Sequence, residues 1–428
     1  MKKQAKNIIA GVVSISILLQ GGMASAKEAN GPNQDIVKDR QVYASTSAAS
    51  FKDIKGHWAE ATIKQAIVDG YLKGYSDGTF KPNGLITRAE LASVLVRITK
   101  NKKDGSKLSF TDVPSGYWAA SAIEGAVGAG FIKAGDAPGG KFKPNEAMTR
   151  YDMAKWFSQG LVRSEASFET ALKEVEGTLL PFTETYKTGI SKTQTPYIAL
   201  ARGTGLMKGN PDDSFGLENT TTRAEVAVML YRYLRIEGSK AGSYRGLNEL
   251  REVGLYGTNA VSLGNATWSK DSKDVVAPVY NIMGKKFIMK GKRGSFILHQ
   301  MIVVDISKPL GTEERGIYGS MFDQRMGATF LIYTETTVTA EKKMKHSYEY
   351  LDSYDFLGGS VIFGDSPERF GYETVPRQYG ASLEYKDFSD FLQVGKPRTI
   401  WTTIGTTYGM QWITAADGTV GTIMLNRK

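Results

Sequence analysis

Apolar residues recur at helical spacing in the first half of the chain. One helix face precedes Gly70 and consists of Ala59, Ile63, Ala66 and Ile67. A second face follows Thr87 and consists of Leu91, Val94, Leu95 and Ile98. Steps of three and four residues predict amphipathic helices, and Gly70 fits a helix stop. The Asp-Gly pair at 77–78 and the Phe-Lys-Pro triplet at 80–82 predict a loop between the two helices.

The second helix of each unit opens with a Thr-Arg-x-acid tetrad, found at residues 87–90, 149–152 and 222–225. The threonine hydroxyl can accept a hydrogen bond from the third helical N–H, and the acid can accept one from the threonine N–H. Glu90, Asp152 and Glu225 are therefore predicted to be capping-box acids. The arginine is unusual, because a cation in the first turn faces the positive end of the helix dipole. A bound anion would explain its threefold recurrence.

Similarity between the units extends upstream of the tetrads. Residues 51–54, 56–59 and 70–73 correspond to residues 110–113, 116–119 and 130–133. The third unit is the most diverged and keeps Gly205-Leu206-Met207-Lys208-Gly209, Asp212 and Phe215. Because a helix–loop–helix unit buries little surface alone, the three units are expected to share one core.

This triple pattern resembles the S-layer homology domains, which commonly occur in sets of three. The resemblance covers roughly residues 51–235. It implies a mainly α-helical, pseudo-threefold spindle with a central three-helix bundle, and grooves between units that hold a polysaccharide. The usual ligand of the family is a pyruvylated secondary cell-wall polymer of Gram-positive bacteria, and the tetrad arginine typically contacts its acidic pyruvyl ketal.

Ten residues are predicted to bind this polysaccharide, namely Arg88, Arg150, Arg223, Trp58, Trp118, Asp53, Asp112, Gly74, Asp77 and Gly209. Several have a structural alternative. The arginines could be solvated surface side chains, and the tryptophans could be core anchors whose indole N–H is paired. The aspartates at 53 and 112 could be loop or helix-entry residues. The glycines could serve a positive φ or a close backbone approach.

The three units depart from one another in ways that rank their arginines. In the second unit a longer stretch, residues 135–140, replaces the Asp-Gly turn, so its groove is expected to have a different rim. In the third unit Thr193 stands where the others have tryptophan. If anion binding explains the arginines, losses on replacement by alanine should follow the order Arg88, Arg150, Arg223.

The first 26 residues resemble a secretory signal peptide. Lys2, Lys3 and Lys6 form a basic region, an apolar run follows, and Ala24-Ser25-Ala26 fits a cleavage site. The apolar run is shorter than the roughly 20 residues that span a bilayer, so no membrane contact is expected after cleavage. The expected location is the cell wall or S-layer surface.

The pattern predicts seven segments: a signal peptide (1–26), a linker (27–50), unit one (51–100), unit two (108–161), a helical insert (162–180), unit three (181–236) and a β-rich domain (238–428). In the last segment, β-branched runs predict strands near residues 287–289, 295–304, 328–339, 360–363 and 399–407. Asp417-Gly418 predicts a closing hairpin. Strand spacing suggests a β-sandwich, and no family resemblance is evident there.

Composition limits the remaining function classes. The net charge of +10 is spread along the chain, which argues against a nucleic-acid partner. The chain has no cysteine and only three histidines, none in a metal-ligand spacing, so no cofactor or metal is predicted. No serine lies in a Gly-x-Ser-x-Gly elbow, so no enzyme activity is predicted.

The sequence therefore predicts a wall-anchored surface protein whose main partner is the acidic wall polysaccharide. Other S-layer proteins are a second candidate partner. The β-rich half is interpreted as an adhesin or structural module. A peptidoglycan hydrolase with its catalytic residues in that half is the alternative.

Overall fold

The computed structural model describes residues 51–99, 108–187, 189–264, 266–267, 276–309, 312–322, 329–354, 360–362, 366–376, 387–406 and 409–426. The predicted signal peptide and linker lie outside these residues.

Each repeat contains the two predicted helices. They are α1 (Glu60–Val68) and α2 (Arg88–Ile98) in the first unit, and α3 (Ala120–Gly128) and α4 (Arg150–Ser164) in the second. Then follow α5 (Ser167–Glu174) and α6 (Glu184–Lys187), and the third unit has α7 (Thr195–Gly203) and α8 (Arg223–Ile236). The helical insert predicted between the second and third units contains α5.

The tetrads start α2, α4 and α8 as predicted. The Thr87 and Thr222 side chains accept hydrogen bonds from the N–H groups of Glu90 and Glu225, whose carboxylates accept in return, completing two capping boxes. Thr149 accepts from the Asp152 N–H in the same way. The Asp152 carboxylate instead lies 3.2 Å from a guanidinium nitrogen of the first unit.

The three units are joined in cyclic order. α2 packs against α3, α4 against α7, and α8 against α1. The short segments that precede the tetrads form a closed ring of backbone hydrogen bonds. Ile86 N–H donates to Thr221 O at 3.0 Å, Thr221 N–H to Met148 O at 2.9 Å, and Met148 N–H to Ile86 O at 2.9 Å. The finer description as a spindle around a central bundle stays a prediction.

The C-terminal half contains two antiparallel sheets, preceded by a helix that the sequence pattern did not predict, α9 (Arg245–Tyr256). The strands are β1 (Ala266–Thr267), β2 (Lys286–Ile288), β3 (Gly294–Asp305), β4 (Phe330–Ala340), β5 (Ser360–Ile362), β6 (Pro397–Thr406), β7 (Gly409–Thr414) and β8 (Val420–Leu425). Three short helices lie between them, α10 (Ser347–Ser353), α11 (Ser366–Arg369) and α12 (Phe388–Phe391).

The larger sheet has the strand order β2-β3-β4-β6-β5, and the smaller has the order β1-β8-β7. The predicted hairpin is β7–β8, with Thr414 paired to Val420. The β-rich character is thus confirmed, whereas packing of the sheets as a sandwich stays a prediction.

The larger sheet contributes to two hydrophobic cores because strand side chains alternate between its faces. On β4, Leu331 and Tyr333 join the core of the helical units, whereas Phe330 and Ile332 join a second core within the C-terminal half. Tyr318 crosses between the halves, and its hydroxyl donates to Leu179 O at 2.9 Å. The two halves are therefore packed together.

Candidate functional site

The tetrad arginines are buried between neighbouring units. Arg88, Arg150 and Arg223 are 6%, 9% and 6% exposed. The alternative of a solvated surface arginine is therefore wrong for all three.

Each arginine donates to backbone carbonyls in the loop of the next unit. Arg223, in the third unit, donates from Nε to Phe80 O at 2.9 Å and from a terminal nitrogen to Lys73 O at 2.6 Å, both in the first. Arg150 makes the same pair of bonds to Phe215 O and Lys208 O, at 2.8 Å each. The shared geometry fixes each loop against the preceding unit.

The first arginine follows this pattern with one difference. Arg88 donates from Nε to Phe142 O at 2.7 Å, but its second carbonyl is Asp136 O, also at 2.7 Å. Asp136 belongs to the longer loop of the second unit, and its carboxylate lies 2.6 Å from the Lys155 ammonium. The longer loop of the second unit, which is expected to alter the rim of its groove, thus changes which carbonyl Arg88 contacts.

The remaining terminal nitrogen of each guanidinium lies near the tetrad acid of the next unit. The nitrogen–oxygen distances are 3.2 Å for Arg88–Asp152, 3.9 Å for Arg150–Glu225 and 3.6 Å for Arg223–Glu90. These arginine–carboxylate contacts link the three units in the same cyclic order as the carbonyl contacts.

These contacts give the arginines a structural role, which is to join neighbouring units. The first N–H groups of α2, α4 and α8 already donate across the unit boundary, from Arg88 to Glu146 O, from Arg150 to Asn219 O and from Arg223 to Gly84 O. The next N–H in each helix, as in Ala89 to Pro144 O, does the same. The helix starts are thus occupied by neighbouring backbone, and a bound anion is not needed to explain the arginines.

Asp53 and Asp112 anchor the loops of their own units. The Asp53 carboxylate accepts from the N–H groups of Phe80 and Lys81, and that of Asp112 from Phe142 and Lys143. Burial raises the pKa of each carboxyl, but the two backbone donors outweigh it, so each pKa lies below its ordinary value.

The third unit has an equivalent acid that the sequence comparison missed. Glu184 accepts from Phe215 N–H at 2.9 Å and Gly216 N–H at 2.6 Å. It ends the triplet Phe182-Thr183-Glu184, which matches Phe110-Thr111-Asp112 of the second unit. That triplet was the available signal, and it identifies the start of the third unit.

Gly74 and Gly209 leave room for the first aromatic residue of their units. A Cβ on Gly74 would lie 2.0 Å from the Phe51 ring, and one on Gly209 would lie 2.7 Å from the Phe182 ring. Their observed role is close packing. Ligand contact at these glycines stays a proposal.

The tryptophans are on the surface. Trp58 and Trp118 are 50% and 64% exposed, so the core-anchor alternative is wrong. Each lies beside the ring of the preceding residue, His57 or Tyr117, at centroid distances of 5.5 and 5.8 Å. These neighbours are held in turn, because His57 and Tyr117 hydrogen-bond to Asn83 and Asn145 at 3.0 Å each. The ring pairs His57–Trp58 and Tyr117–Trp118 therefore occupy equivalent surface positions on the first two units.

The loops also hold two lysines in a conformation that the sequence did not signal. Lys81 and Lys143 both have a φ of 56°, where the third unit has Gly216 at 72°. Their side chains are exposed and reach Asp77 at 3.5 Å and Glu146 at 3.0 Å, respectively. Left-handed backbone is unfavourable for residues with a Cβ, so the surrounding loop must enforce it.

Asp77 stabilises its own turn, since its carboxylate accepts from the N–H and hydroxyl of Thr79. These hydrogen bonds are the main reason why the pKa of Asp77 lies below its ordinary value.

The S-layer homology domain family matches residues 50–92, 109–154 and 186–227. The chain carries three tandem S-layer homology domains. The third match begins just after the Phe182-Thr183-Glu184 triplet, so the structure extends that domain by several residues.

Similar proteins occur on bacterial surfaces and among polysaccharide-degrading enzymes. An amylopullulanase of Thermoanaerobacterium thermosulfurigenes is 30% identical over 190 residues, which make up 44% of this chain and 10% of the relative. A cellulosome-anchoring protein of Acetivibrio thermocellus is 46% identical over 69 residues, 16% of this chain and 15% of the relative. A surface-layer 125 kDa protein of Lysinibacillus sphaericus is 34% identical over 121 residues, 28% of this chain and 10% of the relative.

The chain thus spans only 10% to 15% of the length of these relatives. The S-layer homology domains and the surface-protein relatives identify a secreted, cell-wall-associated surface protein. Within the described part of the chain, no helix has the length and apolar character needed to cross a bilayer. The same residues contain no cluster of three or more His, Asp and Glu side chains suited to a metal ion.

Proposed function

We propose that this protein is held non-covalently at the cell wall by its three S-layer homology domains, which bind an acidic, pyruvylated secondary wall polysaccharide. The anchor would be a three-unit spindle that displays the β-rich half. The observation that carries the proposal is the threefold match, in one chain, to a domain that also occurs in a cellulosome-anchoring protein and a surface-layer protein.

In the proposed site, sugar rings stack on the exposed tryptophans and acidic groups meet the cations between units. Trp58 and Trp118 support this proposal, because exposed aromatic faces are suited to such contacts. Lys81 and Lys143 supply exposed charge at the loop rims, and the buried arginines add positive potential beneath them. Several weak sites on one polymer would add through avidity.

The third unit is proposed to contribute least. Its residue at the aligned tryptophan position is Thr193, which is exposed and cannot stack on a sugar. The polymer is therefore expected to depend mainly on the first two units.

A sedimentation assay with purified walls tests the anchor. The double variant Trp58→Ala/Trp118→Ala should bind less, because each lost ring contact contributes about 0.5–1.5 kcal/mol. Trp412→Ala is the matched control, since Trp412 is 43% exposed but lies in the C-terminal half. Walls stripped chemically of the secondary polymer should no longer retain the wild type. Equal retention by stripped walls would reject the proposal.

The β-rich half is proposed to be a displayed binding or structural module. The competing assignment, a peptidoglycan hydrolase, would release soluble fragments when the whole chain is incubated with peptidoglycan. Release that disappears on replacement of one Asp or Glu in residues 238–428 would establish the enzyme.

A further inference from the structure

One face of the large sheet is buried at one end and open at the other. On this face of β4, Tyr333 belongs to the core of the helical units, whereas Thr337 is only half-buried. Glu335 lies between them, because alternate residues of a strand share a face. The sheet register places Gln300 of β3 and Trp401 of β6 directly opposite Glu335. The three side chains therefore form a row across the sheet where this core ends.

Glu335 carries a half-buried carboxylate that forms no ion pair with any residue that the structure describes. The carboxylate faces the Trp401 indole N–H, but the two groups are not aligned for a hydrogen bond. Burial raises the pKa of Glu335, and the indole N–H offsets only part of this rise. Neither carboxylate oxygen is enclosed, so both remain accessible to a ligand that donates hydrogen bonds.

Gln300 places a hydrogen-bond donor beside this acceptor. Its Oε1 is enclosed and has no partner in the described part of the chain, so it is closed to a ligand. Its Nε2 is not enclosed and donates to no described residue, so it can donate to a ligand. Neighbouring hydroxyl groups of a sugar can donate to a carboxylate and accept from an amide, which is the pairing that Glu335 and Gln300 offer.

A row of three aromatic rings continues from the sheet towards the third helical unit. Tyr372 lies 5.5 Å from Trp401 and 5.0 Å from Tyr186, measured between ring centroids. Exposure increases along this row, since Trp401 is 3% exposed, Tyr372 is half-buried and Tyr186 is 54% exposed. Accessible aromatic rings beside hydrogen-bonding groups are suited to the apolar face of a sugar ring.

The next row of the sheet beyond Glu335 is polar and uncharged. His299 Nε2 lies 2.7 Å from Thr337 Oγ1, which lies 2.8 Å from Thr399 Oγ1. Burial lowers the pKa of His299 below its ordinary value, so its ring is neutral at neutral pH. His299 and Thr399 are exposed, so a ligand longer than one ring would contact further polar groups without meeting another charge in this row.

We propose that the surface formed by Glu335, Gln300, Tyr372 and Tyr186 binds a neutral oligosaccharide. Sugar rings would stack on the two tyrosines, and their hydroxyl groups would donate to Glu335 and accept from Gln300 Nε2. An acidic sugar would be repelled by Glu335, which no described cation neutralises, so this ligand differs from the acidic polymer of the proposed anchor. The inference rests on the binding role proposed for the β-rich half and names a ligand class for it, but it does not depend on the anchor.

Isothermal titration of the full chain with maltotriose, cellotriose and triacetylchitotriose tests the site. At least one of these neutral sugars should bind, and trigalacturonate, which carries carboxylates, should bind at least about tenfold more weakly. Failure of all three neutral sugars, or equally tight binding of trigalacturonate, would overturn the proposal. Binding of trilysine in place of the neutral sugars would do the same, because it would show a site for a cationic peptide. Wall sedimentation of the same preparation tests the anchor separately.

Two matched pairs of variants test the named residues. Glu335→Gln should weaken sugar binding about tenfold, because the amide keeps the shape but loses the charged acceptor. Glu341→Gln should leave binding unchanged, since Glu341 is exposed just beyond the end of β4. Tyr186→Ala should weaken binding about two- to tenfold through the loss of a ring contact. Tyr348→Ala should not, although Tyr348 on α10 is also 54% exposed.

Tyr186 is a surface residue, so its variant tests the site even if Glu335→Gln fails to fold. Unchanged sugar binding in Glu335→Gln or in Tyr186→Ala would reject the site. Equal losses in Tyr186→Ala and Tyr348→Ala would show that the sugar contacts exposed tyrosines without selecting this surface, which would also reject it.

Discussion

At the scale of single residues, Arg223 shows how one side chain joins two units. Its guanidinium holds two loop carbonyls and faces Glu90, all in the first unit, although it belongs to the third. The ring above it adds to the contact, since the guanidinium lies 4.7 Å from the Phe80 centroid. Removing such a group leaves buried acceptors without donors and a carboxylate without its cation.

Arg223→Ala should lower the free energy of unfolding by about 3–5 kcal/mol, the usual cost of breaking a buried charged pair. Urea denaturation of the full chain measures this change. Arg235→Ala is the control, because Arg235 is exposed in the last turn of the same helix. A cost no larger than that of the control would mean that the interlocking contacts contribute little.

The three arginines also separate two explanations of their recurrence. If interlocking dominates, alanine at 88, 150 or 223 should cost similar stability, because each residue makes two carbonyl contacts and one carboxylate contact. If polysaccharide contact dominates, binding losses should follow the order Arg88, Arg150, Arg223. Wall sedimentation and denaturation of the same variants distinguish these outcomes.

At the scale of elements, the loop between the helices holds a lysine in the left-handed conformation in the first two units, at Lys81 and Lys143. Lys81→Gly should raise the free energy of unfolding by up to about 1 kcal/mol, since glycine relieves about 1–2 kcal/mol of left-handed strain but loses more chain entropy. The reciprocal change, Gly216→Lys, should destabilise the third unit. Thermal unfolding checks both, and stabilisation by Gly216→Lys would contradict this account of the loop.

The elements themselves were largely predictable because their signals are local. Thr87 and Glu90, only three positions apart, predict the start of α2. The observed ends of β3 and β4 lie within two residues of the predicted ones. The β-rich assignment of residues 238–428 does not include α9, although Leu247, Leu250 and Val253 follow helical spacing, because that assignment rests on strand patterns that begin only at residue 287. The arginine contacts could not be predicted from the sequence, because the contacted carbonyls lie 48 to 150 residues away along the chain. These contacts form only when the three units close into a ring.

At the scale of the whole molecule, the boundary predicted at residue 238 divides the chain into two sequence segments, but residues from both segments share one hydrophobic core. Leu331 and Tyr333 of the large sheet pack with the helical units, and Phe322 stacks on Tyr333 with centroids 4.1 Å apart. α7 and α9 are also in direct contact across this boundary. One continuous core therefore runs from the helical units through Tyr318 and Phe322 to one face of the large sheet.

This shared core predicts that the halves do not separate cleanly. A chain ending at residue 238 should lose the packing of α7 against α9 and the Tyr318 contact with Leu179, and so expose apolar surface on the third unit. It should bind a hydrophobic dye and unfold at lower urea concentration than the full chain, with the first two units retained longest. Tyr318→Phe, which removes only the hydroxyl's hydrogen bonds with Leu179 O and Thr178 Oγ1, should cost about 1–2 kcal/mol and serves as the mild control. Identical unfolding of the truncated and full chains would show that the helical units are stable without the sheet.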